Sequence, residues 1–192
     1  ARPSLSRSRV QPAAAAVGAM VGAHVTAGVL NGLNPDDMGT PKTPPIEAVR
    51  LGVYALVRLG SFDALASAVI DGAGQPRSRW WPLAFALQRI NDPRAAPALL
   101  ALLSGDGQLT RAFAARGLGV LKEQKAAPVF LAMADNVGEP LAVRIQAVRG
   151  LALLGDSRGG PVLMRLITSA QVNQNLQLEA IVALGQLRQA NA

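Results

Sequence analysis

One apolar landmark returns along this chain at nearly constant intervals, and an interval of that length restricts the fold to a stack of small units. Five segments align without gaps on their central leucines: Tyr54-Ala55-Leu56, Phe85-Ala86-Leu87, Arg116-Gly117-Leu118, Arg149-Gly150-Leu151 and Val182-Ala183-Leu184. The leucines stand 31, 31, 33 and 33 residues apart, a period typical of helix–turn–helix units that cover one another's apolar flanks. Ala or Gly precedes every leucine. A small side chain lets two helices approach at a crossing while the leucine fills the seam.

The residues after each leucine repeat a grammar. Ile90-Asn91-Asp92-Pro93-Arg94 and Leu154-Gly155-Asp156-Ser157-Arg158 read as turns, with Leu121-Lys122-Glu123-Gln124-Lys125 in the same place. An acidic residue there can accept the free N–H groups of the next helix. Pro97, Pro128 and Pro161 follow, where a first helical turn does not need the missing N–H. Gly/Asp-rich or polar gaps at 71–74, 104–107, 136–138 and 171–173 close the units. The pattern predicts helix pairs at 46–71, 77–104, 108–135 and 139–169, then a lone helix at 174–189.

Composition agrees. Half of the 192 residues are hydrophobic, chiefly Ala, Leu and Val, and aromatics are only 4%. That mixture favours helices over strands. The expected fold is all-α, an α-solenoid of antiparallel helix pairs.

The Val143-Arg144 pair, the Ala/Gly-Leu seam, the Leu154-Gly155-Asp156 turn and the later proline resemble the HEAT repeat family, including its short bacterial, lyase-type form. The resemblance covers residues 46–189 and is least good in the first unit, where Leu59-Gly60-Ser61 replaces the Gly-Asp turn. It implies a HEAT-like superhelix and a ladder of acidic and arginine side chains between neighbouring units. Arg111 and Arg144 lie seven residues before their leucines, and Asp92, Glu123 and Asp156 five after theirs. The ladder would join Arg111 and Arg144 to Asp92 and Glu123.

Residues 1–45 form an N-terminal region distinct from the repeats at 46–192. Its Ala/Gly/Val run at 13–33 is interrupted by His24, Thr26 and Asn31, which argues against a membrane anchor. Pro12-Ala13-Ala14-Ala15-Ala16-Val17 reads like the proline-started second helix of a half repeat. His24 is then packed or solvated on a helix and takes no part in chemistry. Pro35, Pro41, Pro44 and Pro45 mark a longer loop, either a binding or hinge element or a plain span between two helix pairs, the second being favoured. The chain opens on Ala1, as a processed form or a portion of a longer repeat protein would.

Catalytic templates fail in turn. With no cysteine and one histidine, thiolate metal sites, His-rich sites and a Ser/His triad have no material. There is no Gly-rich loop followed by Lys-Ser/Thr. The few carboxylates fall mostly in turns, and Trp80, Trp81 and Asp92 are too sparse for the aromatic, carboxylate-bearing cleft of a base-excising helical-repeat enzyme. No cofactor, metal or catalytic residue is expected.

Trp80 and Trp81 follow Arg77 and Arg79, a composition common at protein interfaces. Trp80 shares the register of Arg111 and Arg144, so it is expected to be exposed, and these four residues are the candidate partner contacts. The competing expectation is that one tryptophan covers uneven packing between the first two units.

The net charge of +7 raises the chance of an anionic partner. Against nucleic acid, the second helices carry little charge beyond Arg165. Arg58, Arg89, Arg116 and Arg149 are expected on several faces instead of one stripe. The sequence therefore predicts a non-catalytic scaffold for protein partners. A basic nucleic-acid-binding repeat is the alternative, and a lyase-like pigment-attachment factor rests on resemblance alone. The compartment, cytoplasmic or periplasmic, and the oligomeric state stay open.

Overall fold

A computed structural model describes residues 7–28, 30, 33–36 and 44–190. Helix α1 (Arg7–Thr26) precedes four pairs: α2 (Pro44–Leu59) with α3 (Phe62–Val69), α4 (Trp81–Ile90) with α5 (Ala96–Leu103), α6 (Gln108–Val120) with α7 (Ala127–Asp135), and α8 (Leu141–Leu154) with α9 (Gly159–Thr168). The lone helix α10 (Gln174–Ala190) closes the stack. The chain is an all-α solenoid, with the pairs where the period places them.

One boundary moved. The second pair begins at Trp81 instead of residue 77, because residues 70–76 fold into a tight loop of their own. Ile70 and Pro76 form an isolated bridge, and Asp71 Oδ1 accepts from the Ala73 and Gln75 amides at 2.9 and 2.8 Å. Pro82 then sits in the first turn of α4, where its missing N–H costs nothing.

The leucine spine is continuous. Leu56, Leu87, Leu118 and Leu151 are fully buried, while Leu184 on α10 is only partly covered. The small residues ahead of them admit the neighbouring helix. A Cβ on Gly117 would stand 2.9 Å from Leu99 Cδ1, and one on Gly150 would run into the Phe130 ring, 2.7 Å from Cδ2. Each glycine thus receives a residue from the second helix of the preceding unit. Accordingly α5, α7 and α9 pack chiefly against the following first helices, α6, α8 and α10.

The turns share a feature the residue types conceal. Gly60, Asn91, Lys122 and Gly155, each four residues after its leucine, all have positive φ, at 65°, 53°, 54° and 67°. This left-handed residue reverses the chain between the helices of a pair. Glycine fits it freely; lysine does not.

The first unit breaks the pattern. Its second helix, α3, turns toward α1 and has little contact with α4. Helix α1 lies against both α2 and α3, with a Cβ on Gly18 meeting the Ala64 carbonyl oxygen at 2.7 Å and one on Gly22 meeting Ala68 Cα at 3.4 Å. The N-terminal helix thus packs as a further layer of the stack. Pro12, however, lies inside α1 and does not open it. His24 joins its ring Nδ1 to the Met20 carbonyl oxygen one turn back, at 2.7 Å.

Within the proline-rich loop, Pro41 lies outside the described residues and Pro44 and Pro45 open α2. Residues 33–36 reach past the first pair onto the next two. The Pro35 carbonyl accepts from Trp81 N–H at 3.0 Å, and both carboxylate oxygens of Asp36 accept amides at the start of α6, from Gln108 and Leu109, at 2.6 Å each. The residue before α6 is Gly107, which offers no side-chain cap. Asp36 supplies one from 72 residues away.

Candidate functional site

The register seven residues before each spine leucine turns out to be a carbonyl-capping position. Arg111 Nε donates to the Leu103 carbonyl at 3.2 Å, Arg144 Nε to Ala134 at 3.1 Å and Gln177 Nε2 to Ser169 at 2.7 Å. Each acceptor lies at the end of the preceding second helix, where carbonyls lack an intrahelical donor. The long stems are covered; Arg144 is only 8% exposed.

Trp80 occupies this same register and is buried, at 2% exposure, with its indole Nε1–H unpartnered. The expected exposed contact residue is therefore a core residue. Its capping task falls to Arg77, whose Nε donates to the Ile70 carbonyl at 3.1 Å. Arg79 is exposed, 4.0 Å from Asp106, and its carbonyl accepts from the Thr110 hydroxyl at 2.6 Å. Trp81 is half-buried. It stacks on Phe113 with ring centroids 5.9 Å apart, and Phe85 meets both rings edge-on. The four residues thus do not form one exposed patch.

The predicted ladder also has other partners. Arg111 pairs bidentately with Glu139, both oxygens at 2.6 Å, and Arg144 has its carbonyl instead of a carboxylate. Asp92, Glu123 and Asp156 are used locally, each accepting the amide two residues on, from Arg94, Lys125 and Arg158. Asp92 and Asp156 also hold the Arg94 and Arg158 guanidiniums. These side-chain hydrogen bonds hold both carboxyls below the ordinary carboxylate range, against the opposing effect of burial. Ties between units do exist, made by Arg94 with Asp63, Arg149 with Glu179 and Arg165 with Asp135.

The exposed face of the first helices gathers residues that the sequence reading scattered. Arg58 and Arg89 lie two residues after their leucines, and Arg116 and Arg149 two before theirs. Positions four apart share a helix face, so all four belong to one row, and all four are exposed. Apolar grooves run between these helices. Tyr54, Val57 and Phe85 floor a cavity of about 300 Å³ between α2 and α4, with Arg58 and Arg89 on its rim. Gly119, Val120 and Leu153 line one of about 240 Å³ between α6 and α8, rimmed by Arg116 and Arg149. Leu153 and Val182 line a third, of about 260 Å³, between α8 and α10. Among the described residues no His/Cys/Asp/Glu group is arranged to hold a metal ion, and no helix is long and apolar enough to cross a membrane.

Comparison with known proteins bears on the repeats themselves. Residues 83–105 and 143–169 match the family model of the PBS lyase HEAT-like repeat, which covers α4 with α5 and α8 with α9. No curated protein matches the sequence. The spine leucine and the left-handed turn recur in the same register in the matched and unmatched units, and the two matched segments are HEAT-like repeats within an all-α stack.

Proposed function

We propose that this chain is a non-catalytic scaffold whose stacked helices hold protein partners. The observation that carries the reading is the open flank of α10. Three residues before the spine leucine, Val53, Ala84, Ala115 and Val148 are all fully buried, but Ile181 in that register is 51% exposed. Leu178 on the same flank is 54% exposed. In the earlier units this flank lies against the next first helix, so at α10 it is an apolar surface that a further protein layer would cover. The carboxylates support the non-catalytic part of the reading. Asp92, Glu139, Asp156 and Glu179 are each engaged by an arginine.

The test is site-specific photocrosslinking in cells, with a benzophenone amino acid at position 181 of the full chain. A discrete protein adduct, lost when Leu178→Asp is added, is the expected result. Adducts to nucleic acid alone, or none, would remove the reading.

A further inference from the structure

We infer that the row of grooves along the first helices is a docking track for an acidic, extended segment of the protein partner, with apolar side chains in the grooves and carboxylates on the arginines. The inference rests on the scaffold reading and names the chemistry of what is held. It stands on three observations.

The first is charge without compensation. Arg58, Arg89 and Arg116 form no ion pair with a described residue, and Arg149 alone is matched, by Glu179. Apart from Glu179, held by Arg149 in the α8/α10 groove, and Glu47, held by Arg50 near the start of α2, the described carboxylates lie elsewhere. Asp63, Asp92, Asp106, Asp135, Glu139 and Asp156 are all in turns or at helix ends, where caps and local arginines occupy most of them. The protein has separated its charges so that this face is left positive.

The second is recurrence. Two arginines face each other across the α2/α4 groove and two across the α6/α8 groove, each pair over an apolar floor. The residue types exchange places between the two. In the first groove the aromatics are on the N-terminal side and the arginines on the C-terminal side; in the second, Arg116 and Arg149 precede Val120 and Leu153. The same pairing of apolar floor and guanidinium rim survives that exchange.

The third is spacing. Packed helices lie about 8–10 Å apart, so the two arginine-rimmed grooves are separated by roughly 16–20 Å. An extended peptide rises about 3.3 Å per residue, and some five or six residues span that distance. A Glu/Leu alternation would set carboxylates and apolar groups at both. A nucleic acid would engage the arginines equally well but would leave the apolar floors unused.

The experiment measures fluorescence anisotropy of the full chain with a labelled twelve-residue peptide of alternating Glu and Leu. The comparison probes are its Gln/Leu counterpart and a duplex DNA of twenty base pairs. The acidic peptide should bind at least tenfold more tightly than the Gln peptide. Arg58→Ala/Arg89→Ala and Arg116→Ala should each weaken it at least fivefold with unchanged circular dichroism, and Arg188→Ala, outside the groove rims, should not. Equal binding of the two peptides, or indifference to the arginine variants, would overturn the inference. So would DNA binding tighter than peptide binding that is lost with the same arginines. If position 181 still crosslinks a protein while these variants change nothing, the scaffold reading survives and only the acidic track fails.

Discussion

Arg111 and Glu139 face each other across the seam between α6 and the loop that starts α8, paired through two hydrogen bonds and exposed by only 18% and 14% of their side chains. The same guanidinium also closes the end of α5 through the Leu103 carbonyl. Removing it leaves a covered carboxylate and a bare carbonyl, so Arg111→Ala should cost about 2–3 kcal/mol. The Arg149–Glu179 pair joins neighbouring units in the same way, but its arginine side chain is 49% exposed, and Arg149→Ala should cost no more than about 1 kcal/mol. Urea denaturation of both variants checks the order; equal losses would contradict it.

Lys122 holds φ at 54° in the register where Gly60 and Gly155 stand. A left-handed lysine carries strain that glycine avoids, partly offset by the greater freedom of glycine when unfolded. Lys122→Gly should therefore stabilise the protein by about 0.5–1 kcal/mol. Lys122→Val should do the reverse, and thermal melts of the two variants should move in opposite directions.

Gly150 admits the Phe130 ring. Gly150→Val should destabilise by about 1–3 kcal/mol through overpacking. Adding Phe130→Leu should restore part of the loss, since the two changes share one space. Simple additivity in a double-mutant cycle would argue against the contact.

Asp92, Asp156 and Glu179 all have carboxyls below their ordinary range, held there first by hydrogen bonds from Arg94, Arg158 and Arg149. The folded protein then binds fewer protons than the unfolded chain near pH 4, so this stability is fully present above about pH 4–5 and drains away as pH falls through the native values. Urea midpoints should hold steady between about pH 8 and 5 and decline below that. Asp156→Asn should flatten part of the decline, and a midpoint that rises on acidification would be incompatible with these pairs.

Asp36 caps α6 from outside the repeat. Asp36→Ala should cost about 1 kcal/mol, and hydrogen exchange should quicken at the Gln108 and Leu109 amides before it does elsewhere in α6.

The spine and turns were legible because Leu87, Leu118 and Leu151 carry their own packing rule: an apolar residue after a small one, at a fixed interval. What misled was the equation of a polar register with an exposed one. Arg111 and Arg144 bury their stems and spend their heads on carbonyls, so Trp80 in that register is buried as they are. The ladder went astray for a related reason. Asp92 and Asp156 are satisfied two residues away, by Arg94 and Arg158, while Glu139 stands just past the 136–138 gap, in neither of the two charged registers that the alignment on the leucines brings out. Asp36 could not be found from pattern at all, since nothing in a loop sequence announces a helix 72 residues on. The arginine row was within reach, because positions two before and two after a leucine are four apart and share a side of the helix.

Stacked repeats couple only to their neighbours, so such arrays fray from their ends one layer at a time. The bond from Asp36 to the start of α6 skips a layer. Loosening the N-terminal end therefore requires surrender at residues 108 and 109 as well, and the first three layers should melt as one cooperative block.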